Sequence, residues 1–208
     1  MGNRQKGRET ESWELDEISN LVCIPRYQLD KIYKDFRRVS KNYLLDKTEF
    51  RRIYKDLKSY SPNPPDYPHL CDYEINRRNN AMADRIFKTF DRDNTGRLTF
   101  NEFISAYILL QSAISPERRL QYLFQQYSQD DDYLTPIMGR RMIENMSDLY
   151  GVNTDYQQVW KSLEAYSGSQ NGHIPQAALK NYFLNDPAYA SAFCNGVQVP
   201  LPPPSPQF

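Results

Sequence analysis

Cysteine is nearly absent from this chain of 208 residues: Cys23, Cys71 and Cys194 are an odd set of three. That excludes a secreted disulfide scaffold and predicts a reducing, cytoplasmic setting. Histidine is rarer still, with only His69 and His173, which leaves little for imidazole-based metal or acid–base chemistry. Glycine numbers 8, and no phosphate-cradling glycine loop is present. No Ser/His/Asp set or thiolate–histidine pair is visible, so an enzyme is not expected. There is no excess of one charge: Lys plus Arg is 26 and Asp plus Glu is 26. That argues against a basic nucleic-acid-binding domain. No apolar run approaches the roughly 18 residues of a membrane span, and the polar residues 1–17 lack a signal-peptide core.

What is present is aromatic, with 16 tyrosines and 10 phenylalanines, and it recurs at helical spacing. Leu29, Ile32, Tyr33 and Phe36 follow i, i+3, i+4, i+7, one face of an α-helix. Phe50, Ile53, Tyr54 and Leu57 repeat it, as do Phe100, Phe103, Ile104, Tyr107 and Ile108, and Leu120, Leu123, Phe124 and Tyr127. Met138, Met142, Ile143 and Met146 give a looser version. The stretch 59–68 carries four prolines and reads as a loop. The helices come in pairs joined by short polar links, each holding one apolar residue: Leu45, Leu98, Leu134 and Ile174. Four helix–loop–helix units therefore cover roughly residues 26–184.

One link carries chemistry. Residues 91–102, DRDNTGRLTFNE, fit the twelve-residue calcium loop of an EF-hand. Ca²⁺ is a hard cation that takes six to eight oxygens at about 2.3–2.6 Å. Asp91, Asp93 and Thr95 at positions 1, 3 and 5 supply side-chain oxygens, and Gly96 at position 6 permits the sharp turn. Arg97 offers its backbone carbonyl, Thr99 acts directly or through water, and Glu102 closes the site with both carboxylate oxygens. Arg92 and Arg97 oppose the loop's carboxylates, so the expected affinity is on the order of micromolar or weaker.

The other three links read as disabled. The first, between Phe36 and Phe50, has Arg37 or Arg38 at position 1 and Tyr43 where glycine belongs. The third, SQDDDYLTPIMG, has Asp130, Asp131 and Asp132 but no turn glycine, and Met138 or Gly139 stands at its end. The fourth, SGSQNGHIPQAA, keeps Asn171 and Gly172 but has Ser167, Ser169 and Ala178 in carboxylate places. His173 there is expected to pack or face water. The expected fold is all-α: four EF-hand units paired into two lobes, with short β pairing between loops. The predicted layout is a mobile arm over 1–17, an N-terminal lobe over 18–112, a C-terminal lobe over 113–190 and a Pro-rich tail over 191–208. Pro200 and Pro203 in that tail have PxxP spacing, a ligand pattern for SH3-like grooves if the tail is not simply a disordered end.

Over about residues 15–190 the sequence resembles the neuronal calcium sensor family, the recoverin-like proteins. The resemblance rests on the first hand with Leu45 and Asp46, on the block DRIFKTFDRDNTGRLTFNEF over 84–103, and on Asp186 and Pro187. Ser40 and Lys41 stand where the family has a Cys-Pro pair, and the third hand lacks the family's usual ligands. Calcineurin B-like regulatory subunits share the four-hand layout. The resemblance also implies N-terminal myristoylation at Gly2, although Lys6 replaces the Ser or Thr of the motif. With acylation, Arg4, Lys6 and Arg8 would supply the second signal for peripheral membrane contact.

Two functions are therefore expected. In a sensor, one Ca²⁺ in the second hand exposes a groove formed by Phe36, Phe50, Ile53, Phe87, Phe103 and Tyr107, which takes an amphipathic helix of a target protein. In a constitutive adapter or regulatory subunit, the groove is always available and at most one structural ion is held, Mg²⁺ serving as well as Ca²⁺.

Overall fold

The structure is a computed structural model. It describes residues 9–59, 72–111, 114–128, 132–150, 152–169 and 171–195. Gly2, most of the proline-rich stretch 59–68 and the Pro-rich residues 200–208 lie outside the described residues.

The first helix, α1 (Ser12–Val22), starts within the stretch expected as a mobile arm. Glu11 and Glu14 form a reciprocal capping box at its start, and Leu15, Ile18 and Val22 lie on one buried face. The first hand is α2 (Arg26–Val39), the short strand β1 (Leu45–Asp46) and α3 (Lys47–Ser59). The second is α4 (Asp72–Phe90), β2 (Arg97–Leu98) and α5 (Phe100–Leu110). The third is α6 (Pro116–Ser128), β3 (Tyr133–Leu134) and α7 (Pro136–Tyr150). The fourth is α8 (Tyr156–Ser167), β4 (Ile174–Pro175) and α9 (Gln176–Asn185), followed by α10 (Pro187–Asn195). Pro116, Pro136 and Pro187 each open a helix, where the missing N–H is harmless.

The hands pair first with second and third with fourth. β1 runs antiparallel to β2, with Leu45 opposite Leu98. β3 runs antiparallel to β4, with Leu134 opposite Ile174. All four of these side chains are fully buried. The all-α fold with short loop-to-loop strands is thus as expected. Two strand residues per loop are too few to stand alone; burial of the apolar pair holds each strand pair in place.

The two pairs of hands share one continuous hydrophobic core. α1 packs on α2 and also on α6, and α4 packs on α7. α10 lies against α9, α6 and α7, with Tyr189 buried edge-on against Phe183 at 4.6 Å. Among the described residues no helix is long and apolar enough to cross a membrane.

Candidate metal centre

The second loop turns between α4 and α5, whose ends are fixed by aromatic packing. Phe87, Phe90, Phe100 and Phe103 are all buried. At the loop's tip Asn94 and Gly96 both have positive φ, +51° and +72°. This reverses the chain around Asp91, whose carboxylate accepts from the backbone N–H of Thr95 and of Gly96, each at 2.9 Å. Asp93 also accepts from the Thr95 N–H, at 3.2 Å. Thr95 Oγ1 donates to the Arg97 carbonyl at 3.0 Å. Asp91, Asp93, Thr95 and Arg97 are therefore drawn into one turn.

Glu102 stands at the start of α5. One carboxylate oxygen, Oε2, accepts from the N–H and the hydroxyl of Thr99, each at 2.9 Å. The other, Oε1, accepts from the Arg92 N–H at 3.1 Å. Thr99 caps α5 in return by accepting from the Glu102 N–H, a reciprocal capping box. Among the described residues no three Asp, Glu, His or Cys side chains are gathered into a metal-ligand cluster. Asp91 and Asp93 meet, while Glu102 is held in its cap.

The electrostatics favour a cation. Partial burial pushes the Asp91 carboxyl up, against the Gly96 and Thr95 N–H bonds that pull it down, and the neighbouring Asp93 adds to the rise. Burial likewise pushes Glu102 up. Among the described residues none of these carboxylates forms a salt bridge with Lys or Arg. An exposed Asp93, a partly buried Asp91 and a buried Glu102, beside a hydroxyl and a backbone carbonyl, are a hard-oxygen donor set that fits Ca²⁺. Drawing Glu102 in as a ligand requires it to release the Thr99 bonds.

The groove candidates lie together in the interior. Phe36 packs on Phe103 at 5.3 Å, and Phe50 meets Phe87 at 5.8 Å and Phe103 at 6.4 Å. Ile53 and Tyr107 are buried with them.

In the other loops other contacts stand in the ligand places. In the first, the Lys41 ammonium lies 3.4 Å from Glu49, the residue in the closing position, and Arg37 covers the Tyr43 ring at 5.1 Å. In the third, Asp130 and Asp131 are outside the described residues. At its far end a Cβ on Gly139 would stand 2.0 Å from the Trp160 ring, so an indole fills the space beside the closing position. In the fourth, Asn171 accepts from Ser169 Oγ and from the His173 N–H. The His173 ring stacks on Tyr133 at 4.4 Å, so this histidine packs.

Two features have no signal in the sequence pattern. One is the Trp160–Gly139 contact. The other is the Arg92 side chain, which the sequence places against the loop carboxylates. Its guanidinium instead lies 4.9 Å from the Tyr127 ring centroid and reaches the Gln126 carbonyl. Only long-range contacts reveal either.

Comparison with known proteins agrees with this architecture. Residues 82–110 match the EF hand domain family, covering the end of α4, the second loop and α5. The chain is 25% identical over 121 residues to the calcineurin B protein of Naegleria gruberi, covering 57% of this chain and 56% of that protein. It is 31% identical over 80 residues to the calcineurin B protein of Candida glabrata, covering 38% and 45%. It is 23% identical over 152 residues to calcium-binding protein NCSA of Dictyostelium discoideum, covering 73% and 70%. The chain thus spans about half the length of the two calcineurin B proteins. Loop, paired hands and likenesses together place an EF-hand at residues 82–110, in a chain similar at low identity to two calcineurin B proteins and to a calcium-binding protein.

Proposed function

We propose that this protein is a calcium sensor with one working site, formed by Asp91, Asp93, Thr95, the Arg97 carbonyl, Thr99 and Glu102. The observation that carries this reading is the contrast among the four loops. Among the described residues only the second loop pairs a positive-φ glycine with carboxylates that lack a cationic partner, while Lys41 and Trp160 stand in the corresponding places of the first and third. Glu102 links the loop to α5, because leaving the Thr99 cap for the loop changes the first turn of that helix. Movement of α5 would part Phe103 and Tyr107 from Phe36, Phe50, Ile53 and Phe87 and open a groove for an amphipathic helix of a target protein.

The lobes in this reading are residues 18–112 and 113–190, the N-terminal one carrying the ion. The setting is cytoplasmic, with peripheral membrane contact if Gly2 is acylated. Mass spectrometry after co-expression with an N-myristoyltransferase tests that last point. An unmodified Gly2 would end it.

The test of the site is a calorimetric Ca²⁺ titration with millimolar Mg²⁺ present, beside Glu102→Gln. One site on the order of micromolar affinity, lost in the variant, is expected. No heat, or an unchanged titration in Glu102→Gln, would overturn the site. The adapter reading draws on a different observation: the first and third loops keep their place in the fold with Lys41 paired to Glu49 and Trp160 packed beside Gly139, contacts that need no ion. It predicts equal target binding in chelator and in calcium, whereas the sensor predicts loss in chelator.

A further inference from the structure

Arg92 is the second residue of the calcium loop, and the two parts of it point in different directions. Its backbone N–H is held by Glu102 Oε1 at 3.1 Å. Its guanidinium leaves the loop altogether. It donates to Ser105 Oγ on α5 at 3.4 Å and to the Gln126 carbonyl on α6 at 3.5 Å, and covers the Tyr127 ring at 4.9 Å. Tyr127 Oη in turn accepts from Asn145 Nδ2 on α7. Ser105 Oγ also meets Tyr122 Oη of α6 at 3.2 Å, in a fully buried pair. Arg92 therefore joins the closing carboxylate of the second hand to α6 of the third, and through Tyr127 to α7.

The guanidinium is placed but not locked. Both of its hydrogen bonds are long, and Nε is buried with no hydrogen-bond partner. A buried unpaired N–H carries a cost that a small displacement can relieve, so more than one arrangement is accessible. The bond from the Arg92 N–H goes to a carboxylate and is charge-assisted, so a change in Glu102 is felt at residue 92 as well as at Thr99.

We propose that Arg92 is a positioning residue that relays the state of Glu102 to α6 and α7, so that the degenerate third hand responds to the second. The relay rests on the reading that the second loop takes Ca²⁺, but the bonds that form it belong to the chain alone. Glu102 turning from its cap shifts residue 92, the guanidinium moves against Gln126 and Tyr127, and Tyr127 carries the change to Asn145. This gives the pair of hands without ligands a role in output while the ion stays in the other pair.

The experiment is a set of proton–nitrogen NMR correlation spectra of the full chain, in two arms. In the first, Ca²⁺ is added to wild type, Arg92→Met and Tyr127→Phe. Gly96 reports the loop, Tyr127 the last turn of α6, and Asn145 the middle of α7. In wild type all three amides are expected to shift. In Arg92→Met the Gly96 shift persists and those of Tyr127 and Asn145 fall by half or more. In Tyr127→Phe, which keeps the ring and fold but loses the hydroxyl, only the Asn145 response falls. In the second arm no calcium is present. Glu102→Gln should shift the Tyr127 and Asn145 amides with Arg92 in place and leave them still in Arg92→Met. Undiminished Tyr127 and Asn145 responses in Arg92→Met, or a wild type in which only Gly96 moves, would overturn the relay. A silent Gly96 would instead overturn calcium binding by the second loop, and the calcium-free arm would then decide the relay alone. Pathway claims need coupling evidence of this kind, beyond proximity.

Discussion

A methyl group added at Gly96 and one added at Gly139 should both destabilise the protein, for opposite reasons. Gly96 has φ +72° and nothing within 4 Å of the place a Cβ would take, so Gly96→Ala meets only backbone strain. The expected loss is about 1–2 kcal/mol, the left-handed penalty of an L-residue. Gly139 has no such strain, but its Cβ would lie 2.0 Å from the Trp160 ring. Overpacking of this kind costs about 1–3 kcal/mol. Urea unfolding separates the two causes. In a Trp160→Leu background Gly139→Ala should become nearly neutral, while Gly96→Ala keeps its full cost. An undiminished cost of Gly139→Ala in that background would refute the packing account. The Gly96 requirement is legible in the sequence, because the loop motif fixes where the turn falls. The Gly139 requirement is not, because the indole it faces lies 21 residues away and no local pattern announces it.

Between elements, a two-bond ion pair joins α3 to α4. Arg51 grips Asp84 with two bonds of 2.6 Å, and Lys47 adds a third cationic contact at 3.0 Å. The Arg51 hydrogen bonds are the main cause holding the Asp84 carboxyl below its ordinary value; burial opposes them, and Lys47 assists. A depressed carboxyl pKa stabilises the fold above the unfolded-state value of about 3.9, and that contribution is lost as pH falls through the lower folded value. Asp84→Asn should therefore destabilise at neutral pH by up to about 1 kcal/mol, as a partly exposed pair allows. The difference from wild type should shrink as pH falls below that unfolded-state value and vanish in stronger acid. A variant gap of equal size in acid, measured by urea midpoint, would refute this. Leu98→Ala tests the other kind of tie. Leu98 is fully buried opposite Leu45, and truncation should cost about 2–5 kcal/mol. The helices and the two strand pairings are readable in the sequence because helical periodicity and fixed loop spacing are local. The start of α1 is harder to read. Its buried Leu15, Ile18 and Val22 are separated by a polar surface rich in Glu and Asp, which masks a short apolar stripe. α10 falls at the edge of the region that reads as tail; among its described residues Tyr189 is held by Ser147, Thr154 and Phe183 from elsewhere in the chain, contacts that no local pattern announces.

For the whole molecule, the question is whether two pairs of hands behave as two units or as one. Sequence spacing alone gives two lobes, because each pair closes its own strands. The structure adds contacts that run between the pairs. α1 reaches α6, α4 reaches α7, and the Leu109 carbonyl at the end of α5 accepts from Arg119 of α6 and Tyr150 of α7. Two buried phenols, one in each half, make this testable. Tyr54 of α3 and Tyr150 of α7 are both pushed up to about 12, in each case chiefly by burial. A raised phenol pKa favours the protonated folded form. Its contribution is whole below the unfolded value of about 10 and is lost as pH rises from there through the folded value. An alkaline titration followed by phenolate absorbance and by far-ultraviolet circular dichroism should show most tyrosines ionising first, without loss of helix. The late group should then ionise in one step together with unfolding, because one continuous core opens as one cooperative unit. Tyr54→Phe and Tyr150→Phe should each remove one phenol from that late step and move its midpoint upward by similar amounts. Two separate late steps, each sensitive to only one of these substitutions, would show that the halves unfold independently and that the contacts between them contribute little to stability.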